Sequence, residues 1–345
     1  MPGDVIDSEA IFAPLAEFRR LGLAVSGGPD SLALLLLAAA FADRHGAHAR
    51  FVVYSVDHAL RPEAAAEAAY VADAAQRLGF AARVLRWEGP KPTTGIQQAA
   101  RTARYGLIAA AMPADGAEIL VTAHHLADQA ETVLMRLAHG SGIEGLRGMD
   151  YFAEIGGLAV VRPLLGIDPA DLGRLVAASD LVPAQDPGNL DPGYERVRWR
   201  QMLPQLAALG LDARRLSRFA DRMRDADLAL TEMATAAMTA EPASGSGRIT
   251  RAALVRLPRA VATRVVARLL AEVGGGQKPH DLAPVETLTD RLRMEPALKR
   301  TSLHGCLISS DGATITVVRE AGRQAARQSA VRSARMRSDT SVTRN

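Results

Sequence analysis

The sequence predicts an α/β fold, a parallel sheet wrapped by helices, continued by a mainly helical region. Three observations carry that expectation. The apolar pentad Leu21-Gly22-Leu23-Ala24-Val25 runs straight into Ser26-Gly27-Gly28-Pro29-Asp30-Ser31 and then into a helix-forming run from Leu32 to Ala42, which reads as strand, glycine-rich turn and helix. Apolar runs and helical runs then alternate as far as Gly140, and units of that pitch stack their strands in parallel through right-handed crossovers. From about Pro204 the strands give way to helices.

Taken in order, Phe51 to Asp57 (FVVYSVD) is a second strand, apolar on both faces as a covered parallel strand must be. Pro62 to Gly79 is helical, Ala81 to Trp87 a third strand, Gly95 to Met112 a third helix and Glu118 to Thr122 a fourth strand. His124 to His139 is a helix that ends at Gly140-Ser141-Gly142. Further helices span Asp212 to Thr239 and Thr250 to Val273, joined by the linker Glu241-Pro242-Ala243-Ser244-Gly245-Ser246-Gly247. Ser302 to Arg319 reads as a hairpin turning at Ser310-Asp311-Gly312. From Ala321 the chain is rich in Arg, Ser, Gln and Ala without periodicity, the composition of a disordered tail. The expected division is therefore 1–205, 206–275, 276–320 and a tail over 321–345.

A chain of 345 residues accommodates two or three domains, and 48% hydrophobic with 23% charged residues is a globular composition. The longest uninterrupted apolar run, Leu32 to Ala42, is too short to cross a bilayer. No basic-then-apolar leader opens the chain, and the single cysteine, Cys306, excludes an internal disulfide and any multi-cysteine metal or redox site. These features point to the cytoplasm. Net charge is only +3, yet its positive part is almost all arginine, the lysines being Lys91, Lys278 and Lys299. Arginine forks match phosphates, so the balance suits a polyanionic partner, and equally a GC-rich genome.

The loop after the first strand carries the chemistry. Gly27 and Gly28 let backbone approach a phosphate, Ser26 and Ser31 bring hydroxyls, and helix-terminal N–H groups favour an anion. Asp30 would repel a bare phosphate but can hold Mg²⁺. A nucleotide with its metal fits that mixture, so Ser26, Gly27, Gly28, Pro29, Asp30 and Ser31 form the expected nucleotide site. No lysine follows the glycines, so this is not the Walker pattern. Ligands of open α/β sheets sit at the carboxyl ends of the strands. Three polar clusters fall there: Ser26 to Ser31, Asp57 to Arg61 with His58, and Thr122 to Glu131.

SGGPDS resembles the loop of the ATP pyrophosphatase family, whose members cut ATP between the α and β phosphates and leave AMP on a carbonyl oxygen. Six further motifs follow in order: VDHALR (Val56 to Arg61), ARTARY (Ala100 to Tyr105), TAHHLADQAET (Thr122 to Thr132), GSGIEGLRGM (Gly140 to Met149), RPLL (Arg162 to Leu165) and QDPGNLDPGYERVRWR (Gln185 to Arg200). Together they resemble the tRNA(Ile)-lysidine synthetase family, strongly over about residues 20–205 and weakly over 210–320. The resemblance implies a Rossmann-like, adenine nucleotide α-hydrolase-type catalytic domain that uses ATP and Mg²⁺. It implies ligation of L-lysine to carbon 2 of the wobble cytidine in the CAU-anticodon isoleucine tRNA, through adenylated tRNA, with release of AMP and pyrophosphate.

Carried over residue by residue, the resemblance makes Asp30 the metal ligand and sets Asp57 and His58 beside the nucleotide. Arg101 and Arg104, on one helix face, would neutralise the leaving pyrophosphate. Asp128 and Glu131, three apart on a helix, would grip the lysine ammonium groups. Arg196, Arg198 and Arg200 alternate with Val197 and Trp199 and would share one face of an extended segment, with Arg200 at the reacting base. His58 and His125 are rim histidines with no proton-transfer role assigned. Arg214, Arg215, Arg218, Arg222 and Arg224 suit the phosphates of a tRNA stem. A homodimer is compatible with the resemblance.

Three positions depart from the family pattern: Ala127 stands where an aspartate is usual, Gln185 where a glutamate is, and Val197 where an asparagine is. They motivate one alternative, a tRNA-binding homologue without catalysis. The other, a tRNA thiolase with the same loop, needs several cysteines, against the single Cys306.

Overall fold

The computed structural model describes residues 6–184, 191–240, 247–274 and 282–320. They divide between residues 222 and 223 into two compact units, the stretch 141–144 grouping with the second. The first unit holds α1 (Ser8–Phe12), β1 (Leu21–Ala24), α2 (Pro29–His45), β2 (Phe51–Asp57), α3 (Ala64–Arg77), β3 (Ala81–Arg86), α4 (Ile96–Asp115), β4 (Ile119–Val121) and α5 (Leu126–Ala138). After α6 (Ile143–Leu146) come β5 (Phe152–Ile155), β6 (Leu158–Val161), α7 (Pro169–Ala177), α8 (Glu195–Ala208) and α9 (Ala213–Ala240), whose residues from 223 on belong to the second unit.

The strands form one sheet in the order β3-β2-β1-β4-β6-β5. β1 pairs in parallel with β2 on one side and with β4 on the other. The chain steps from β1 outward to β3 and returns to β4, so the order reverses at β1, the crevice where such sheets bind ligands. Alternation along the strands sorts the core. Leu21, Leu23, Phe51, Val53, Ile119 and Val121 pack against α1, α2, α3 and α7; Val52, Tyr54, Leu120 and Val160 pack against Tyr105, Ile108 and Met112 of α4. α2 is apolar nearly all round because the sheet, α1 and α7 enclose it. It stops at Gly46, whose φ of 61° lets its N–H reach Ala42 O.

The sheet is parallel as expected except at one edge, where β5 runs antiparallel to β6. This hairpin, unassigned from the sequence, turns on Gly156 and Gly157, both at positive φ, a dipeptide suited to a tight turn. The segment expected as extended around Arg196 to Arg200 is the first part of α8 instead. Its Val197 is buried, and Trp199, Leu203 and Leu206 join Ala130, Val133 and Leu134 of α5 and Leu216 of α9 in one apolar cluster. That cluster carries the first unit past residue 205 to 222.

The second unit adds β7 (Arg248–Thr250), α10 (Arg251–Arg256), α11 (Arg259–Gly274), α12 (Ala283–Met294), β8 (Leu298–Leu303), β9 (Cys306–Ser310) and β10 (Thr314–Arg319). Its four strands form an antiparallel sheet in the order β7-β10-β9-β8. The hairpin expected between Ser302 and Arg319 is β9 and β10, with Gly312 at φ 97° in the turn. The helix expected over Thr250 to Val273 is split, because Leu257 precedes Pro258 and takes ψ 145°. Helices and strands expected as separate regions share one core, Ala234, Val265 and Leu288 packing with Ile308 and Ile315. The linker residues 241–246, Gln185 and the tail from Ala321 lie outside the described residues.

Gly22 is where the central strand tolerates least. A Cβ there would lie 2.8 Å from Tyr54 Cε2, on a buried ring whose hydroxyl donates to Asp115 Oδ2 at 3.1 Å. Gly22→Ala should therefore destabilise the protein by about 1–3 kcal/mol. A urea midpoint equal to the parent's would show that the ring yields freely.

Candidate active site

The loop between β1 and α2 is shaped by its glycines. Gly27 has φ +86°, and an added Cβ would meet Val71 Cγ2 at 3.3 Å. Gly28 is the N-cap of α2 and supplies no side chain, so the helix N-terminus is left open to an incoming anion. Ser31 closes the loop rather than capping the helix: its Oγ donates to Gly28 O at 2.9 Å and accepts from Ser26 N at 3.2 Å. Asp30 sits in the first turn of α2. Beside the loop lies a cavity of about 320 Å³, lined among others by Ser26, Gly28, Val56, His58, Arg61 and Arg104.

Asp57, at the end of β2, is 4% exposed and accepts from Ala59 N at 2.7 Å, which shapes the turn where Ala59 takes φ 50°. The His58 ring meets Trp87 edge-on at 6.2 Å, and Lys91 Nζ lies 4.1 Å over the same indole. Arg101 and Arg104 flank Tyr105, at 5.1 and 5.2 Å from its ring centre. Burial holds the Arg104 guanidinium below its ordinary pKa.

The start of α5 carries the densest electrostatics. Asp128 Oδ2 accepts from His125 N at 3.0 Å and the Asp128 N–H points back to His125 Nδ1 at 3.4 Å, a reciprocal cap. His125 Nε2 lies 3.4 Å from Asp30 Oδ2, so the metal-ligand candidate and α5 are linked. Burial opposes protonation of His125, but Asp30 and Asp128 outweigh it and raise its pKa. His124, next to it, behaves oppositely: burial, with Arg162, Arg101 and Arg196 nearby, pushes it down to about 3, so it is neutral. Its Nδ1 lies 2.8 Å from Thr122 Oγ1.

Glu131 is wholly buried, and both oxygens are engaged: Arg196 Nε donates to Oε2 at 2.6 Å and Arg200 Nε to Oε1 at 2.7 Å. Arg196 Nη2 also reaches Asp128 Oδ1 at 3.2 Å. Arg196 and Arg200 lie one helical turn apart, so α8 presents both to Glu131, while Arg198 turns away to Pro192 O and Gly193 O. The expected common face of three arginines is thus a pair, because the segment is helical. Val197, between them, is buried.

Among the described residues no group of three or more His, Cys, Asp or Glu converges as a metal cage. A single carboxylate, Asp30, beside a phosphate cradle suits Mg²⁺, which takes one or two carboxylates and completes its octahedron with water and phosphate oxygens. The residues present fit that ion.

Residues 5–206 match the PP-loop domain family. The chain is 46% identical over 315 residues to a tRNA(Ile)-lysidine synthase of Methylobacterium nodulans, covering 88% of this chain and 91% of that one. With the enzyme of the same name from Rhodopseudomonas palustris it shares 42% over 326 residues, covering 90% and 94%. The chain belongs to the tRNA(Ile)-lysidine synthase family. Its fold is also similar to that of the U34-tRNA thiolase NcsA from Methanococcus maripaludis, with a TM-score of 0.51 over 63% of this chain and 78% of that one. At 13% identity that likeness concerns the fold alone.

In this lysidine synthase family member the sequence-predicted residues gather at one sheet rim: the 26–31 loop, Asp57 and His58, Arg101 and Arg104, Asp128 and Glu131, and Arg200. Three contributions were not foreseen. Arg196 holds both carboxylates, Arg162 is buried and donates to Asp150 O at 2.6 Å, and His124 is kept neutral among arginines. The four-residue spacing of Arg196 and Arg200 was the available signal for the first. The other two stand in the motifs RPLL and TAHHLADQAET, but nothing local marks the burial of Arg162 or the neutral state of His124.

Glu131→Gln removes the charge that two guanidinium groups share. The arginine side chains are 35% and 45% exposed, so solvent screens part of the loss and it should fall below that for a fully buried pair, at about 1–3 kcal/mol. Equilibrium unfolding in urea checks this; an unchanged midpoint would mean that α8 is held to α5 by apolar packing alone.

Proposed function

We propose that this chain is an AMP-forming ligase that joins L-lysine to the wobble cytidine of the CAU-anticodon isoleucine tRNA. The observation that carries the reading is one sheet rim bearing both a phosphate cradle and a carboxylate pair in a lysidine synthase family member. In this reading the 26–31 loop receives the phosphates of ATP, and Asp30 holds Mg²⁺, which supplies charge neutralisation when bound. Arg104, in the cavity wall, and Arg101 stabilise the negative charge that grows on pyrophosphate as AMP passes to the cytidine carbonyl oxygen. Arg200 faces the base from α8. Asp128 and Glu131 draw the lysine cation, whose ε-amine displaces AMP from carbon 2 once its proton has been lost.

Arginines along α9, Arg214, Arg215, Arg218, Arg222 and Arg224, are proposed to meet tRNA phosphates. Among the described residues no helix is long and apolar enough to cross a membrane. We place the protein in the cytoplasm with its tRNA, as a monomer or a homodimer.

Incubation with ATP, Mg²⁺, labelled lysine and bulk tRNA should give tRNA-dependent lysine incorporation; none would sink the reading. In the same assay Asp30→Ala should abolish pyrophosphate release and leave tRNA affinity nearly unchanged. Release at the parental rate would remove Asp30 from the metal site.

Phosphate contacts release counterions, so log affinity for tRNA should fall linearly with log salt. Removing Arg214, Arg215 and Arg218 together should flatten that slope by roughly 2 to 3. An unchanged slope would put the RNA elsewhere.

A further inference from the structure

We propose that Arg196 occupies the lysine subsite of the substrate-free enzyme and that tRNA draws it away, so that tRNA and lysine bind cooperatively. The inference rests on the assignment of Asp128 and Glu131 to lysine. Those two carboxylates are the pair that Arg196 spans, Nε to Glu131 Oε2 at 2.6 Å and Nη2 to Asp128 Oδ1 at 3.2 Å. Arg200 grips Glu131 Oε1 at 2.7 Å and lies 3.6 Å from Asp128. An incoming ammonium therefore finds both carboxylates already engaged.

Charge makes the obstacle larger. Two carboxylates face two guanidinium groups. A third cation would approach a carboxylate pair already matched in charge, where burial weakens solvent screening. Withdrawal of one guanidinium restores the negative charge that lysine needs.

Arg196 is suited to be the one that leaves. It lies in the first turn of α8, where the helix dipole disfavours a cation, and Arg104 and His124 both feel its positive charge. A phosphate of the RNA backbone offers the guanidinium a bidentate partner in exchange for the two carboxylates. Because binding coupling is reciprocal, lysine must then tighten tRNA by the same factor.

The test omits ATP, so that no chemistry occurs, and measures lysine binding by calorimetry with and without saturating isoleucine tRNA. The parent should bind lysine at least about tenfold tighter with tRNA, and tRNA should tighten equally with lysine. Arg196→Gln should bind lysine without tRNA about as tightly as the parent does with it. Arg196→Lys, which keeps a cation on α8, should stay weak without tRNA. Equal lysine affinity of the parent with and without tRNA overturns the proposal, and that comparison needs no variant. So does an Arg196→Gln protein that folds, judged by its thermal transition, and binds lysine no tighter. If the parent still incorporates lysine into tRNA while showing no coupling, the coupling alone has failed. If it incorporates none, the functional reading has failed with it.

Discussion

A carboxylate with no exposed surface, Glu131, is the constraint around which the rim is arranged. A charge in that position needs cationic partners, and Arg196 and Arg200 supply them from a helix far along the chain. The pairing sets the rotation of α8 on α5, since only one face of α8 can deliver both guanidinium groups. The apolar cluster of Ala130, Val133, Leu134, Trp199, Leu203 and Leu206 completes the contact. Through Asp128 and His125 the same network reaches Asp30, so the phosphate loop and the carboxylate pair are parts of one electrostatic unit.

The sheet makes that unit possible. β1 lies between β2 and β4, so the loop that follows it opens beside the ends of both neighbours. Gly22 leaves room for the Tyr54 ring against β1, and the Tyr54–Asp115–Arg83 chain ties the ring to the end of α4. Arg101 and Arg104 stand on that helix, so its placement against the sheet also aims two cations at the rim.

Arg104 of α4 lines the cavity, while Asp128 and Glu131 of α5 meet Arg196 and Arg200 at the contact with α8. His124 lies among these groups as a neutral imidazole, which adds no further positive charge among Arg101, Arg162 and Arg196. In the proposed reading the leaving pyrophosphate and the incoming lysine thus have separate places within one crevice.

The phosphate loop, four of the five parallel strands and most helices were legible in the sequence, because strand periodicity, glycine turns and helix-forming runs act over a few residues. The same holds for Asp30, Asp57 and Asp128, whose places follow from the strand or helix they adjoin. Only the tertiary structure decided the state of Arg196 to Arg200. Their alternation with Val197 and Trp199 suits a strand, while the four-residue step between Arg196 and Arg200 suits a helix. Packing on α5 selects the helix. The partners of Glu131 lie 65 and 69 residues away, and the lowered pKa of His124 depends on burial and on Arg162, Arg101 and Arg196. Burial and charge pairing across such distances exist only once the sheet has brought its strand ends together, so no local pattern encodes them.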